Sequence, residues 1–254
     1  MTKSNIVVYT CISGEYDSLF EPKALNQRYD FICFTNNKNM HSENWNIKPL
    51  VKNFNNNKKN NRYHKMNPHL LFKNYRYSIY IDGNISIVGK HLFNRVEDLI
   101  GNKIKISMSK HYERDCIYAE AKECIRLLKS DPKKTIEQIK YIRGKGYPES
   151  NGLLASGVIF REHNDAKVID LMDRWWTFFC RFPTRDQFGF NFIMWERGVS
   201  EFKYFFDGDD QNLNKHGDYF LALHNHEKKR KNIFRRIIRK LRGIYFLMIY
   251  RKNL

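Results

Sequence analysis

Two oxygen-bearing side chains, Asp82 and Asn84, flank Gly83 in the run Tyr77 to Ser86, YSIYIDGNIS. Tyr77, Ile79 and Ile81 alternate with Ser78 and Tyr80, a period of two that predicts a strand ending at Asp82. The carboxylate then lies at the strand's carboxyl edge, where ligands of open α/β sheets bind. A bend at Gly83 brings Asn84 to the same edge, and the pair can face one hard cation and its phosphate ligands. The same residues also read as an Asp-Gly-Asn turn between two strands.

Other residues supply complementary chemistry. Arg62 and Lys65, three apart on a predicted helix, share a face that can meet a diphosphate, or else form a solvated basic surface. In the loop SGEYDSLF, Gly14 permits close backbone approach and Tyr16 can cover a base, although an ordinary surface loop has the same composition. Ala155, Ser156 and Gly157 put small residues where a ligand can lie against a strand. Asp186 and Gln187 open a helix behind Thr184 as its cap, and first-turn polar groups often face a pocket at a sheet edge. His224 and His226 fall on one side of an extended segment, without a nearby partner at metal-motif spacing.

The elements that must carry these groups follow from the hydrophobic pattern. Asn5 to Ile12 and Tyr29 to Thr35 read as buried parallel strands, with Asn36 just past the second, and Trp45 to Val51 reads as an edge strand because of Pro49. Lys52 to Asn61 reads as a polar loop, and Arg62 to Lys73 as a helix that Pro68 kinks or restarts. Downstream come a helix His91 to Ile100, a strand Ile104 to Met108, and a helix capped by Asp115 that follows His111 and Arg114. A helix from Pro132 to Arg143 that ends at Gly144, a strand from Gly152 to Arg161, a helix from Ala166 to Cys180 with Trp175 and Trp176 in the core, and a strand from Glu201 to Phe206 complete the order.

Length of 254 residues suits one α/β domain with a substantial core. Five scattered cysteines form no Cys-x-x-Cys pair, an odd number that argues for a reduced, cytosolic protein rather than a disulfide framework. Neither a signal peptide nor a membrane span is expected. The net charge is +18, and residues 227 to 254 hold eleven Lys or Arg against one Glu. In that tail Ile233, Phe234, Ile237, Ile238, Leu241, Ile244, Tyr245 and Met248 follow helical spacing opposite a basic side, which suits an anionic membrane surface. A terminal helix docked on its own domain and a basic arm for nucleic acid share that pattern, but the apolar side is too full for a simple arm, and no nucleic acid is expected. The division is 1–226, catalytic, and 227–254, tail.

Taken in order, YTCISGEYD, FICFTN, RYHKMNPH, SIYIDGN, KHYERDCIYAEA, GYPESNGLLASGVIFR and RWW followed by RDQF resemble the bacterial and plant glycosyltransferase-like domain family whose plant members are associated with turgor regulation and seed mucilage. In outline the order also resembles the family eight retaining glycosyltransferases, with Asn84 standing where their second metal carboxylate would be. The resemblance implies a single Rossmann-like, nucleotide-sugar-binding domain of GT-A type, with a mixed central sheet flanked by helices. It implies transfer of a sugar from a nucleotide diphosphate donor to a saccharide or lipid-linked acceptor of the cell envelope, on the inner face of the membrane. On that basis Asp82, Asn84 and His224 hold manganese or magnesium, and Arg62 and Lys65 assist at the phosphates. Tyr9, Thr10, Gly14 and Tyr16 form the nucleoside wall, and Asn36 reads the base edge. Ser156 and Gly157 leave room for the sugar, Asp186 grips it or faces its anomeric carbon, Gln187 orients it, and His111 and Arg114 serve the acceptor or phosphates. A non-catalytic polyanion-binding or membrane-surface module and a metal-dependent hydrolase are the other classes the sequence admits.

Overall fold

The computed structural model describes residues 5–14, 17–199, 202–205, 221–223, 241–242, 244–246 and 248–249. The chain is α/β. Its elements are β1 (Ile6–Ile12), β2 (Tyr29–Thr35), β3 (Asn46–Pro49), α1 (Asn57–Met66), α2 (Pro68–Leu71), β4 (Tyr77–Ile81), β5 (Ile85–Ile87), α3 (His91–Gly101), β6 (Ile106–Lys110), α4 (Ile117–Arg126), α5 (Pro132–Gly144), β7 (Leu154–Arg161), α6 (Ala166–Arg181), α7 (Asp186–Glu196) and β8 (Leu221–Leu223). Two compact units emerge: Met1–Ser109, Ser156–Asp173 and Phe202–Glu227 form the first, and Lys110–Ala155, Arg174–Glu201 and Lys228–Leu254 the second.

A six-stranded sheet runs in the order β3-β2-β1-β4-β7-β6. β1 pairs in parallel with β2 and β4, β3 joins β2 in parallel as the edge strand, and β7 runs antiparallel to β4, so the sheet is mixed as expected. β5 and β8 form a separate antiparallel pair.

Period-two alternation sorts the strands onto two buried faces. Ile6, Val8 and Ile12 of β1, Tyr77, Ile79 and Ile81 of β4, and Val158 and Phe160 of β7 share one core with Leu92, Phe93, Val96 and Leu99 of α3. The opposite face of β1 meets α1: the Tyr9 hydroxyl lies 3.2 Å from the His64 carbonyl and the Cys11 thiol 3.9 Å from that of Asn60.

Helix α1 begins earlier than the pattern predicts. Asn56 caps it, its side chain accepting from the Lys59 N–H, and the stretch read as a polar loop supplies its first turns. Its buried residues are Asn60, His64, Lys65 and Met66, so polar side chains occupy the face where apolar periodicity is sought. Pro68 restarts the chain as the first residue of α2. Three other local expectations fail. Cys116, not Asp115, is the cap residue of α4. Arg185, not Thr184, precedes α7, and the Thr184 hydroxyl donates to Gln138 Oε1. The described part of the expected strand 201–206, residues 202–205, is irregular and is held by a bond from the Phe205 N–H to the Met108 carbonyl.

Candidate active site

Asp82 leaves the last residue of β4 at the carboxyl edge of the sheet. Its N–H donates to the Gly157 carbonyl (2.8 Å), and its carbonyl accepts from the Ile85 N–H (2.9 Å), closing the turn that contains Asn84, itself buried. Ser78, Tyr80 and Asp82 alternate onto the side of β4 that faces α1. There Tyr80 donates its hydroxyl to Asp82 Oδ1 (2.9 Å), and Lys65 Nζ stands 3.5 Å from the same oxygen and 3.1 Å from Ser156 Oγ. Asn61, one turn before Lys65, donates to the Tyr80 hydroxyl (3.1 Å) and to the Cys11 carbonyl (2.6 Å), and Arg62 Nη1 donates to Asn61 Oδ1. Burial, and then the Asp82 charge, hold the Tyr80 phenol well above its ordinary pKa, so it stays a neutral donor.

The burial of this group corrects one expected role. The Lys65 side chain is 1% exposed against 31% for Asp82, so the ammonium lies beneath the carboxylate instead of facing a ligand itself. Oδ1 is fixed from below. Oδ2 lies by Gly157, where a Cβ would sit 3.5 Å from it and 3.1 Å from Ile85 Cδ1. The small residue thus keeps open the space beside the carboxylate.

The loop after β1 is built by amides. Gly14 has φ +71°, and a Cβ there would stand 2.2 Å from Asn57 Nδ2. Its N–H donates to Asn36 Oδ1 (2.7 Å), so Asn36 staples this loop. Ser13 donates to Asn57 Oδ1 (3.0 Å) and accepts from Asn60 Nδ2 (3.1 Å). Tyr9 and Thr10, expected on a nucleoside wall, are 0% and 2% exposed, which removes both from contact with a ligand. Tyr16 and His224 lie outside the described residues. A Cβ on Gly83 would stand 3.3 Å from Asp17 Oδ2, so a second carboxylate, missed in the sequence, borders the Asp82 turn.

In the second unit, Asp186 and Gln187 occupy the first turn of α7 and are 4% and 6% exposed. The Asp186 carbonyl accepts from Trp175 Nε1 (2.9 Å), and Gln187 Nε2 donates to the Leu154 carbonyl (2.9 Å). Asn191 Oδ1 accepts from the Leu154 N–H (3.1 Å), so two amides of α7 pin the start of β7. His111 Nδ1 accepts from the N–H groups of Glu113 and Arg114 (3.2 Å each), which leaves the proton on Nε2, 3.9 Å from Glu120 Oε2. Burial pulls the His111 pKa down, with the Glu120 charge opposing. Arg114 is tied to Glu120 and Glu113 at 2.5 Å each.

The TOD1/MUCI70, glycosyltransferase-like domain matches residues 1–216. The chain belongs to that family. Comparison with curated proteins gives no match. Among solved structures, one described as the WbbM bifunctional glycosyltransferase in its apo form is similar over 76% of this chain and 36% of its own, with 12% identity and a TM-score of 0.41. The chain therefore spans about a third of that protein's length.

The carboxyl edge of this TOD1/MUCI70 domain fits a divalent cation held by few protein ligands. Asp82 offers Oδ2 beside the Gly157 cradle, and Asn84 adds a carboxamide in the same turn. Ligating carboxylates are commonly oriented by hydrogen bonds of their own, as Tyr80 and Lys65 orient this one. Among the described residues no three His, Cys, Asp or Glu side chains converge. With so few protein donors, a small hard ion bound here would need further oxygen ligands from outside the protein.

A cationic group underpins the TOD1/MUCI70 site from β7. Arg161 is fully buried, donating from Nη1 to the Lys65 carbonyl (2.7 Å) and from Nη2 to the Tyr9 hydroxyl (2.6 Å). It thus sits at the carboxyl end of α1, where the last carbonyls carry partial negative charge. Near it His163 is 0% exposed with Nε2 2.9 Å from the Phe72 carbonyl. Burial, opposed by the Phe72 hydrogen bond and reinforced by the Arg161 and His69 charges, pulls its pKa from 6.5 to about 4. The unfolded chain therefore takes up this proton first as pH falls. Stability from this group is complete above pH 6.5 and declines toward pH 4, by about 3 kcal/mol in all. His163→Gln is expected to flatten that part of the urea-unfolding profile, and an unaltered slope would contradict the assignment.

A polar crevice of about 360 Å³ lies at the opposite, amino-terminal ends of β1 and β4, lined by Asn5, Arg76, Glu162 and Asp165 among others. Two of its charges, Arg76 and Glu162, pair at 2.8 Å, and it carries none of the groups described above.

Proposed function

We propose that this protein is a glycosyltransferase that moves a sugar from a nucleotide diphosphate sugar to a saccharide or lipid-linked acceptor in cell-envelope polysaccharide or lipopolysaccharide synthesis. Membership of a glycosyltransferase-like family supports the class of reaction. The observation that carries the reading is the Asp82 carboxylate, fixed through Oδ1 by Tyr80 and Lys65 at the carboxyl edge of the sheet, with Oδ2 beside a glycine.

Loss of a nucleotide diphosphate builds negative charge on the leaving group, and a cation there stabilises it. Asp82 and Asn84, with His224, would hold manganese or magnesium. Lys65, 3.5 Å from Oδ1, holds the Asp82 carboxylate in place, and Arg62 adds positive charge on the same face of α1. The Gly14 loop, shaped by Asn36, takes the nucleoside, and Ser156 and Gly157 leave room for the sugar. Asp186 and Gln187 are assigned to the donor sugar, and His111 and Arg114 to the acceptor or the phosphates. Lipid-linked acceptors place this chemistry at the cytoplasmic face of a membrane, with the basic tail as the contact. Among the described residues no helix is long and apolar enough to cross a bilayer.

A thermal-shift series with nucleotide diphosphate sugars, each with and without manganese, tests the reading. One nucleoside series is expected to raise Tm, since ligand at a hundred times its Kd stabilises the native state by about 2.7 kcal/mol. Equal shifts with every base and with simple polyphosphate would favour a polyanion-binding module. Sugar released to water alone, with no acceptor able to divert it, would favour a hydrolase.

A further inference from the structure

Among the described residues, sugar transfer makes no use of a row of exposed apolar side chains near the carboxyl end. Residues 241–242, 244–246 and 248–249 are helical, and Leu241, Tyr245, Met248 and Ile249 are 60%, 60%, 72% and 51% exposed. Positions four, seven and eight after the first fall in one row along a helix. Large apolar side chains facing water in a row differ from the scattered singles of an ordinary surface and mark a face that something covers. A terminal helix docked by its apolar side on its own domain would bury this row. Arg242 beside it is exposed as well, and residues 227–254 carry a net charge of +10.

These two properties choose the cover. Nucleic acid meets the positive charge but offers nothing to Leu241, Met248 and Ile249. A second copy meets the apolar row but sets one strongly basic tail against another. An anionic lipid surface meets both, taking the apolar side chains below its headgroups and the arginines and lysines among its phosphates. We propose that Leu241, Tyr245, Met248 and Ile249 form the apolar side of an interfacial anchor that lies on anionic bilayers, with Tyr245 at headgroup level. This names the chemistry of the membrane contact in the proposed function and rests on that placement. Vesicle binding is read without donor or acceptor, so it fails or succeeds apart from sugar transfer.

The experiment uses the full chain in co-sedimentation with phosphatidylcholine vesicles and with vesicles containing about 30% phosphatidylglycerol. Partition onto the anionic vesicles is expected to be at least about tenfold stronger, and about 0.5 M salt should remove most of that difference. The double variant Leu241→Glu and Met248→Glu should lower partition at least about tenfold with an unchanged Tm, because both side chains are exposed. Equal partition onto neutral and anionic vesicles overturns the proposal, as does partition the double variant leaves intact. Absence of vesicle binding overturns it too, whether light scattering then shows a dimer that the double variant dissolves or a gel shift shows duplex DNA bound instead.

Discussion

Replacing Asp82 by Asn is expected to lower sugar transfer by a factor of about 10² to 10³ while leaving the chain folded. At the carboxyl edge of the sheet this carboxylate is both fixed and partly open, held through Oδ1 by the Tyr80 hydroxyl and the Lys65 ammonium. Asn keeps the shape but removes the charge a cation would use, and it takes the carboxylate away from a buried ammonium. Because the Asp82 side chain is 31% exposed, water tempers that second effect, and a cost of about 1–2 kcal/mol is reasonable. A second substitution separates the two consequences. With Lys65→Met added, the buried positive charge is gone and much of the lost stability should return, whereas transfer should remain low. Recovery of activity together with stability would mean that Asp82 serves the fold alone, and full activity in the single variant would end its assignment to the reaction.

The largest effect on stability is expected at Arg161. Its guanidinium is fully buried and bridges the Lys65 carbonyl and the Tyr9 hydroxyl, with the Met172 sulfur at 3.3 Å. Arg161→Ala leaves a cavity and strips those partners of a donor, for a loss of about 3–5 kcal/mol. In a chain of this size that corresponds to a Tm lower by roughly 10 °C. Arg161→Met restores most of the volume without the hydrogen bonds, so it should fall between wild type and Ala. A loss under about 1 kcal/mol in the Ala variant, read from urea unfolding, would show that α1 does not depend on this contact. Because Lys65 belongs to the turn that Arg161 holds, the Met variant should also weaken donor binding.

How legible this molecule is from its residues depends on what each segment buries. β1, β2 and β4 announce themselves because apolar and aromatic residues dominate each strand, and a strand ending at Asp82 fixes the position of its carboxylate. The small residues before Val158 are likewise readable, and Gly157 does border Asp82. Helix α1 is hidden because its inner face is amide, imidazole and ammonium, paired with Ser13, the Val51 N–H and Asp82, so no hydrophobic period marks it. Tyr9 and Thr10 look like binding residues only when strand parity and depth are ignored. Asp17, Asn61 and Arg161 gain meaning from partners far away in sequence, information that local pattern does not carry. The family motifs supply part of it, since their order joins these separated pieces before any packing is known.

The antiparallel pairing of β7 with β4 has a consequence for biosynthesis. During translation β4 can dock on β1 early, but its other margin, with Ile79 and Ile81, has no neighbour until the ribosome has delivered the chain through Arg161. An exposed margin of that composition invites association with other nascent chains. Overproduction at high temperature should therefore yield inclusion bodies more readily than the stability of the finished protein would suggest.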